Sequence, residues 1–526
     1  MSTLYETSAW QYLTVAKVNA INRKCMTLPI LNLRSQYARN FHLSWLGFWT
    51  AFLSWFAFSP LIPEAVKNDL KLTPQKIGNS NIVSLCATLI VRLIVGPLVD
   101  RYGPRRVMAA LLVIGAIPSG LAGTVHTAGE LYTIRFFIGI LGGTFVPCQA
   151  WTTVFFDKSI VGRANALVGG WGNAGGGFTF LIMVALYDRL VRDGLSPHSA
   201  WRAAFAVVPV PACLCVAAAI MIFGTDHPNG AWENRHDVPP AHMQLSKPQP
   251  SADIENLSTQ SSVVVISTEK TAIPTEKKQN GEGRGSINHA VEQKDHVRDV
   301  MIETSDATSE LDVAINEGLT WSSGKSIIFN PLTWLPALAY LTTFGFELAV
   351  DANLANVLFN LFHTRNASFG QTKAGYVASI YGLLNVFTRP LGGYSGDIIY
   401  RRFGISGKKY LMLVCGVMQG LLSIGLGIYA DSAESSLAVV IVLFVLVAVV
   451  NEVANGINFS LVPHCNPSSN GFMSGIVGAM GNVGGIIFAL IFRFGPAPLG
   501  KAFWISGTIC AVVNVAIAGI RIPSKY

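Results

Sequence analysis

The chain has 526 residues, 51% of them hydrophobic and only 13% charged, and its mean hydropathy is +0.43. A soluble globular protein carries about 25% charged residues, so this balance excludes a soluble enzyme or nucleic-acid-binding domain; apolar runs of about 20 residues, each long enough to cross a bilayer, recur instead. The net charge of +8 is uneven: residues 225–320 hold 16 acidic and 8 basic side chains, which leaves 30 basic against 14 acidic elsewhere.

The first 40 residues are mixed and polar, with no secretory signal expected, and the first long apolar run starts near His42. The fold class expected is an all-α membrane protein of twelve spans. Six lie near 43–63, 79–99, 106–124, 130–155, 162–187 and 201–224, and six near 331–359, 370–396, 408–430, 436–462, 470–494 and 500–521. The polar stretch between the halves lacks sustained periodicity. The expected division is an N-terminal segment over 1–42, a six-helix bundle over 43–224, a disordered linker over 225–330, a second bundle over 331–521 and a tail over 522–526. Arg101, Arg105, Arg106, Arg163, Arg401 and Arg402 cluster on one side of the spans. That bias places this side, both termini and the linker in the cytoplasm. The Asp188–Arg202 loop is the exception, with more arginine than an exterior loop should carry.

Two apolar stretches each contain an arginine: Arg92 within Leu85–Asp100 and Arg389 within Gly382–Asp397. A cation inside a bilayer is costly and marks function. Each is followed by an aspartate eight residues on, Asp100 and Asp397, and later by a Gly-rich phrase centred on an asparagine. The first phrase carries Gly170, Gly172, Asn173 and Gly175; the second carries Gly478, Gly481, Asn482 and Gly484. Matched polar residues in two six-span halves describe a transporter with its substrate between them, and paired cations point to an anion.

Gly96-Pro-Leu-Val-Asp100-Arg101-Tyr-Gly103-Pro-Arg105-Arg106 resembles the loop motif of the major facilitator superfamily, with a degenerate copy from Gly393 through Asp397 to Arg402 and Gly404. Arg135-Phe-Phe-Ile-Gly139 with Gly143 resembles that superfamily's span-four motif. The doubled Gly-x-Gly-Asn-x-Gly-Gly phrase resembles the signature of the nitrate/nitrite porter family, which stands once in each half. Phe145–Trp151, Tyr340–Gly345, Glu347–Asp351 and the long linker add to the likeness, the last two to its fungal branch. The second phrase has Ala479-Met480 where the first has Trp171, so only its Gly-Asn core matches. The resemblance implies two pseudo-symmetric six-helix bundles and import of nitrate, with nitrite, across the plasma membrane. Asp100, Arg101, Arg106 and Asp397 would form a gate.

The chemistry agrees. Nitrate is planar with three in-plane oxygens, and guanidinium is a planar fork of permanent charge that can hold two of them. Arg92 and Arg389 are expected to clamp one anion, with the Asn173 and Asn482 amides as further donors. The family likeness implies aromatic walls from Phe52 and Tyr340, and Thr88, one turn before Arg92, shares its helix face. Two arginines and one nitrate leave one positive charge. That permits nitrate/nitrite exchange, or proton symport through a separate acid; the fungal likeness implies symport. Glu347, Asp351 and Glu452 are the acids within spans, and a carboxylic acid there takes up a proton readily. Two rivals are a carrier of the same superfamily for another anion, such as phosphate or an organic acid, which would need a larger or more polar pocket than a Gly-lined, aromatic-walled one, and a sensor that binds without transport, disfavoured by the intact gate motif. Nitrate, nitrite, protons and the bilayer are the expected partners of a monomer. No metal-ligand spacing or nucleotide-binding motif occurs, so no cofactor and no enzymatic activity are expected. The eight cysteines read as small buried hydrophobes, and Asn366-Ala-Ser368 and Asn256-Leu-Ser258 are glycosylation sequons.

Overall fold

The computed structural model describes residues 9–19, 22–157, 159–236, 300–303, 320–465, 470–495 and 497–522. Most of the expected linker, the Asn256 sequon and the last four residues lie outside them. Among the described residues nine helical stretches are long and apolar enough to cross a membrane. One of these, Gln371–Ala430, is two helices joined at Gly404, whose φ of 63° and ψ of −160° only glycine adopts easily. Dividing it, and adding Gln36–Trp55 and Pro331–Phe362, gives the twelve spans.

In chain order these are α1 (Gln36–Trp55), α2 (Pro74–Tyr102), α3 (Pro104–Leu121), α4 (Ala128–Phe155), α5 (Val161–Arg192) and α6 (Pro197–Phe223). The second half has α7 (Pro331–Phe362), α8 (371–403), α9 (405–430), α10 (Leu437–Cys465), α11 (Asn470–Phe494) and α12 (Lys501–Ala516). Local chemistry sets several ends. Thr73 caps α2 by accepting from the Lys76 N–H, with Pro74 in the first turn, and Asn330 caps α7 in the same way through the Leu332 N–H. Gly103, at φ 87°, separates α2 from α3.

Three boundaries differ from expectation. Helix α1 starts inside the stretch assigned to a cytoplasmic segment, because Asn40 is buried in a pair with Thr225, whose N–H donates to Asn40 Oδ1 at 2.9 Å. The linker's first residues are ordered for the same reason. Asp226 pairs with Arg105 at 3.2 Å, and Trp232 Nε1 donates to the Asp100 carbonyl at 3.0 Å. Helix α4 is wound as a 3-10 helix over Gly139–Thr144. There it presses on α2: a Cβ at Gly139 would sit 2.5 Å from the Ser84 carbonyl. The long linker is also helical at its far end, over Trp321–Phe329.

Ahead of α1, a short helix (Ala9–Thr14) leads into β1 (Ala16–Asn19), which pairs in parallel with β2 (Val300–Glu303). Cys25 ties this segment to the end of α4, its N–H donating to the Phe155 carbonyl at 2.9 Å.

The two halves pack as copies. Helix α5 lies between α1 of its own half and α8 of the other, and α11 lies between α7 and α2. The signature glycines make these crossings possible by letting backbones touch. A Cβ at Gly175 would strike the Trp49 carbonyl on α1, and one at Gly484 the Leu341 carbonyl on α7. One step back, Gly172 meets the Phe48 ring and Gly481 the Tyr340 and Phe344 rings.

Both ends of the inter-half seam are bridged. At the gate-motif end the Phe472 N–H, in the first turn of α11, donates to Asp100 Oδ2 at 3.1 Å. Its counterpart Asp397 holds Arg163, in the first turn of α5, at 3.2 Å and Lys408 at 3.0 Å. A carboxylate at a helix N-terminus is favourable there. At the opposite end the Gln371 N–H, first in α8, donates to Glu64 Oε2 at 2.9 Å, while Gln371 Oε1 accepts from the Glu64 and Ala65 N–H groups at 2.8 and 3.0 Å. The arm carrying Glu64 is fixed by Asp69. Burial pushes that carboxyl up, but donors from His198, Arg202 and Trp201 outweigh burial and hold it below its usual value.

Candidate functional site

Midway along the seam the two expected arginines converge. Both are almost wholly buried, at 0% exposure for Arg92 and 2% for Arg389. The guanidinium carbon of Arg92 lies 5.1 Å from the centre of the Phe344 ring and that of Arg389 5.5 Å from the same centre. The arginines therefore cannot be farther apart than those two distances together. Arg92 Nε donates to the Gly142 carbonyl at 2.9 Å, and its Nη1 crosses the seam to the Gly478 carbonyl at 2.8 Å. Arg389 reaches the equivalent place in the other half, its Nη1 3.7 Å from where a Cβ of Gly169 would stand. Each arginine thus points at the signature helix of the opposite half.

Around them stands a box of rings. Tyr340 and Phe344 stack with centroids 4.6 Å apart, Phe145 lies nearly parallel to both, and Phe459 closes one edge 4.7 Å from Phe145. Tyr340 is buried and its hydroxyl has no well-formed hydrogen bond. Phe52 packs instead on Phe48, Trp55 and Phe56, one layer out. The Thr88 hydroxyl is committed to the Gly139 carbonyl at 2.6 Å and pins α2 to α4. The two signature asparagines behave alike: Asn173 Nδ2 donates to the Gly169 carbonyl at 2.9 Å and Asn482 Nδ2 to the Gly478 carbonyl at 3.0 Å. Each side-chain oxygen is left without a partner. One N–H of each amide is therefore already spent on its own helix.

The halves differ at one decisive point. Arg389 Nη2 forms an ion pair with Glu347 Oε2 at 2.7 Å. Matching Leu341 with Trp49 sets Glu347 opposite Trp55, so the copy that carries Arg92 has an indole where the other has a carboxylate. Arg92 has no described carboxylate partner, and its Nη2 makes no hydrogen bond; on Arg389 the same is true of Nε. Burial alone does not distinguish these arginines, because Arg135 is also buried. Its Nη1, however, is taken by Ser80 and Asn81 of its own half, at 2.7 and 2.5 Å. Arg135 too keeps an unspent Nε, so what sets Arg92 and Arg389 apart among these three is their convergence across the seam on one ring.

Glu347 belongs to a larger polar cluster that the sequence reading did not anticipate. Asn385 Nδ2 donates to Glu347 Oε1 at 3.0 Å and to Glu452 Oε1 at 3.1 Å, Asn455 Nδ2 donates to Glu347 Oε2 at 2.7 Å, and the Thr388 hydroxyl contacts Glu452 Oε2. Asp351 lies one turn beyond Glu347 on α7 and faces Gly176 of α5. The spacing of Asn385 and Arg389, and of Glu452 and Asn455, sets each pair on one helix face; polar pairs inside apolar spans were the available signal. Of the expected gate residues, Asp100 and Asp397 bridge the halves. Arg101 instead faces the Tyr102 ring, and Arg106 pairs with Glu233 just after α6, at 3.5 Å.

The chain is similar to known membrane transporters. The family model described as Major Facilitator Superfamily matches residues 44–489. The chain is 30% identical over 469 residues to the high affinity nitrate transporter 2.5 of Arabidopsis thaliana, covering 89% of this chain and 76% of that protein. It is 27% identical to the elsinochrome transporter 1 of Elsinoe fawcettii, covering 96% of each. In fold it is similar to the crystal structure of a bacterial homologue of the human lysosomal transporter Spinster, with a TM-score of 0.52, 13% identity and coverage of 92% of this chain and 95% of that one. The family model gives the superfamily and the nitrate-transporter relative, at 30% identity, the branch: the chain belongs to the nitrate/nitrite porter family of the major facilitator superfamily.

Proposed function

We propose that the protein imports nitrate, and nitrite through the same site, across the plasma membrane by alternating access coupled to protons. The observation that carries this reading is the pair of unspent donors, Arg92 Nη2 and Arg389 Nε, on two buried guanidinium groups that share the Phe344 ring. An unpaired N–H of a buried cation is expensive, and a small anion between the arginines would satisfy both. The parallel rings of Tyr340, Phe344 and Phe145 suit a planar ion better than a tetrahedral one. They also keep water out, which strengthens the charge interactions. The named transport function of the Arabidopsis relative supports nitrate as the anion.

Two sets of bridges support alternating access. Asp100 and Asp397 close the gate-motif end, which the loop charges assign to the cytoplasm, and Glu64 with Gln371 closes the other. Opening one set while the other holds exposes the arginines to one side at a time. The signature glycines allow α5 and α11 to rock against α8 and α2 without side chains in the way. Entry of an anion adds negative charge to a low-dielectric interior. A proton taken up by the acid cluster of Glu347, Glu452 and Asp351 offsets it, and this links the two movements.

The test is nitrate uptake into proteoliposomes containing the full chain, with and without an inward proton gradient. Uptake that requires the gradient is expected. Uptake that ignores the gradient but needs internal nitrite would replace symport by exchange, and binding without flux would replace transport by sensing.

A further inference from the structure

Within that symport reading, we infer that the two buried glutamates have different jobs: Glu452 is the proton-binding site, and Glu347 is a permanent counter-ion that positions Arg389. Hydrogen counting leads there. Glu347 receives N–H groups from Arg389 Nη2 at 2.7 Å, Asn455 Nδ2 at 2.7 Å and Asn385 Nδ2 at 3.0 Å. Every one of these described partners is a donor in this arrangement, and a guanidinium cannot accept. A proton on Glu347 would face donors and would weaken the Arg389 pair. Glu452 is different. Its Oε1 accepts from Asn385 Nδ2 at 3.1 Å, and its Oε2 contacts the Thr388 hydroxyl. A hydroxyl gives one hydrogen and also accepts. The Thr388 hydrogen has another acceptor, the Leu384 carbonyl at 2.8 Å. With Glu452 protonated, Glu452 donates to Thr388 and Thr388 donates to Leu384, so both hydroxyl hydrogens are paired. With Glu452 ionised, Thr388 turns its hydrogen to the carboxylate and the Leu384 carbonyl loses that extra bond. Both states are accommodated, as a site that loads and unloads a proton requires.

Asn385 connects the two roles. Its amide nitrogen has two hydrogens and gives one to each glutamate. Ionisation of Glu452 therefore tightens its hold on Asn385 at the expense of Glu347, on the same helix turn that carries Arg389. The other charged or titratable groups facing this cluster are Asp351, Arg389 and the Tyr381 hydroxyl, which is buried and unpartnered. Among the described hydrogen bonds none joins any of them to Glu452, whose partners are Asn385 and Thr388.

The experiment compares two readouts in the same proteoliposomes: nitrate/nitrate exchange at equal pH, and accumulation driven by an inward proton gradient. Glu452→Gln, a fixed stand-in for the protonated acid, is expected to keep exchange and lose gradient-driven accumulation. Glu347→Gln is expected to lose both, because Arg389 is left mispaired. Thr388→Val removes the acceptor for the Glu452 proton. It also removes the hydroxyl's bond to the ionised carboxylate, the stronger of the two, so the pH of half-maximal accumulation should move about one unit higher, the scale of one charge-assisted hydrogen bond, with Thr388→Ser restoring it. Accumulation by Glu452→Gln equal to wild type, or an unmoved pH profile in Thr388→Val, overturns the assignment while leaving nitrate symport standing. A wild type that exchanges nitrate but never responds to the gradient overturns symport and the assignment together.

Discussion

Replacing Arg92 by lysine is expected to reduce nitrate uptake on the order of 100-fold or more, since the loss of a buried charge-assisted hydrogen bond costs about 3 kcal/mol. Charge is conserved in this change, so the loss reports geometry. The guanidinium of Arg92 spends Nε on Gly142 and Nη1 on Gly478 and still has Nη2 to offer. An ammonium has three donors on one atom and cannot bridge two carbonyls on different helices while presenting a third donor to an anion. Arg389→Lys should be equally severe for a different reason: a lysine that follows Glu347 leaves no donor in place of Nε. Arg135→Lys is the contrast. Its partners Ser80 and Asn81 lie within its own half, and it does not share the Phe344 ring. Uptake in that variant should fall much less at equal protein in the membrane. Uptake in Arg92→Lys within a few-fold of wild type would remove Arg92 from the site.

The second large effect is structural. Gly484→Ala is expected to abolish the folded protein, or to lower its stability by roughly 3 kcal/mol or more, as read by thermal unfolding in detergent. The added methyl would meet the Leu341 carbonyl, which is backbone of a neighbouring helix and cannot rotate away. Gly475→Ala, whose Cβ would stand 3.0 Å from the Arg92 carbonyl, should be milder. Gly425→Ala is the control. Nothing lies within 4 Å of its Cβ position, so the helix should gain slightly from alanine, by up to about 1 kcal/mol. Equal melting of the Gly484 and Gly425 variants would mean that α11 and α7 do not touch as described.

Twelve spans were legible because each needs about 20 apolar residues and interrupting polar loops. The duplicated Arg92 and Arg389, with Asn173 and Asn482, were legible because intramembrane polar residues are rare enough to be noticed one by one. What the spacing could not convey was pairing between helices distant in sequence. Spacing along one apolar stretch cannot show that Glu347, one helix earlier, is the partner of Arg389. The same limit hid the bridge from Asp100 to the start of α11, which is a contact to backbone and leaves no mark in side-chain identity. It also hid the ordering of residues 225–236, whose polar composition suggested a free linker although Asp226 and Trp232 are buried against the gate motif. Helical periodicity placed Thr88 on the face of Arg92 correctly; it did not show that Gly139 on α4 would take the hydroxyl.

The most direct measurement is an experimental structure of the protein with saturating nitrate. The account predicts one planar anion beside Phe344, hydrogen-bonded to Arg92 and to Arg389, with Glu347 still paired to Arg389. Nitrate bound elsewhere, or held by one arginine while the other keeps its unspent donor, would contradict it.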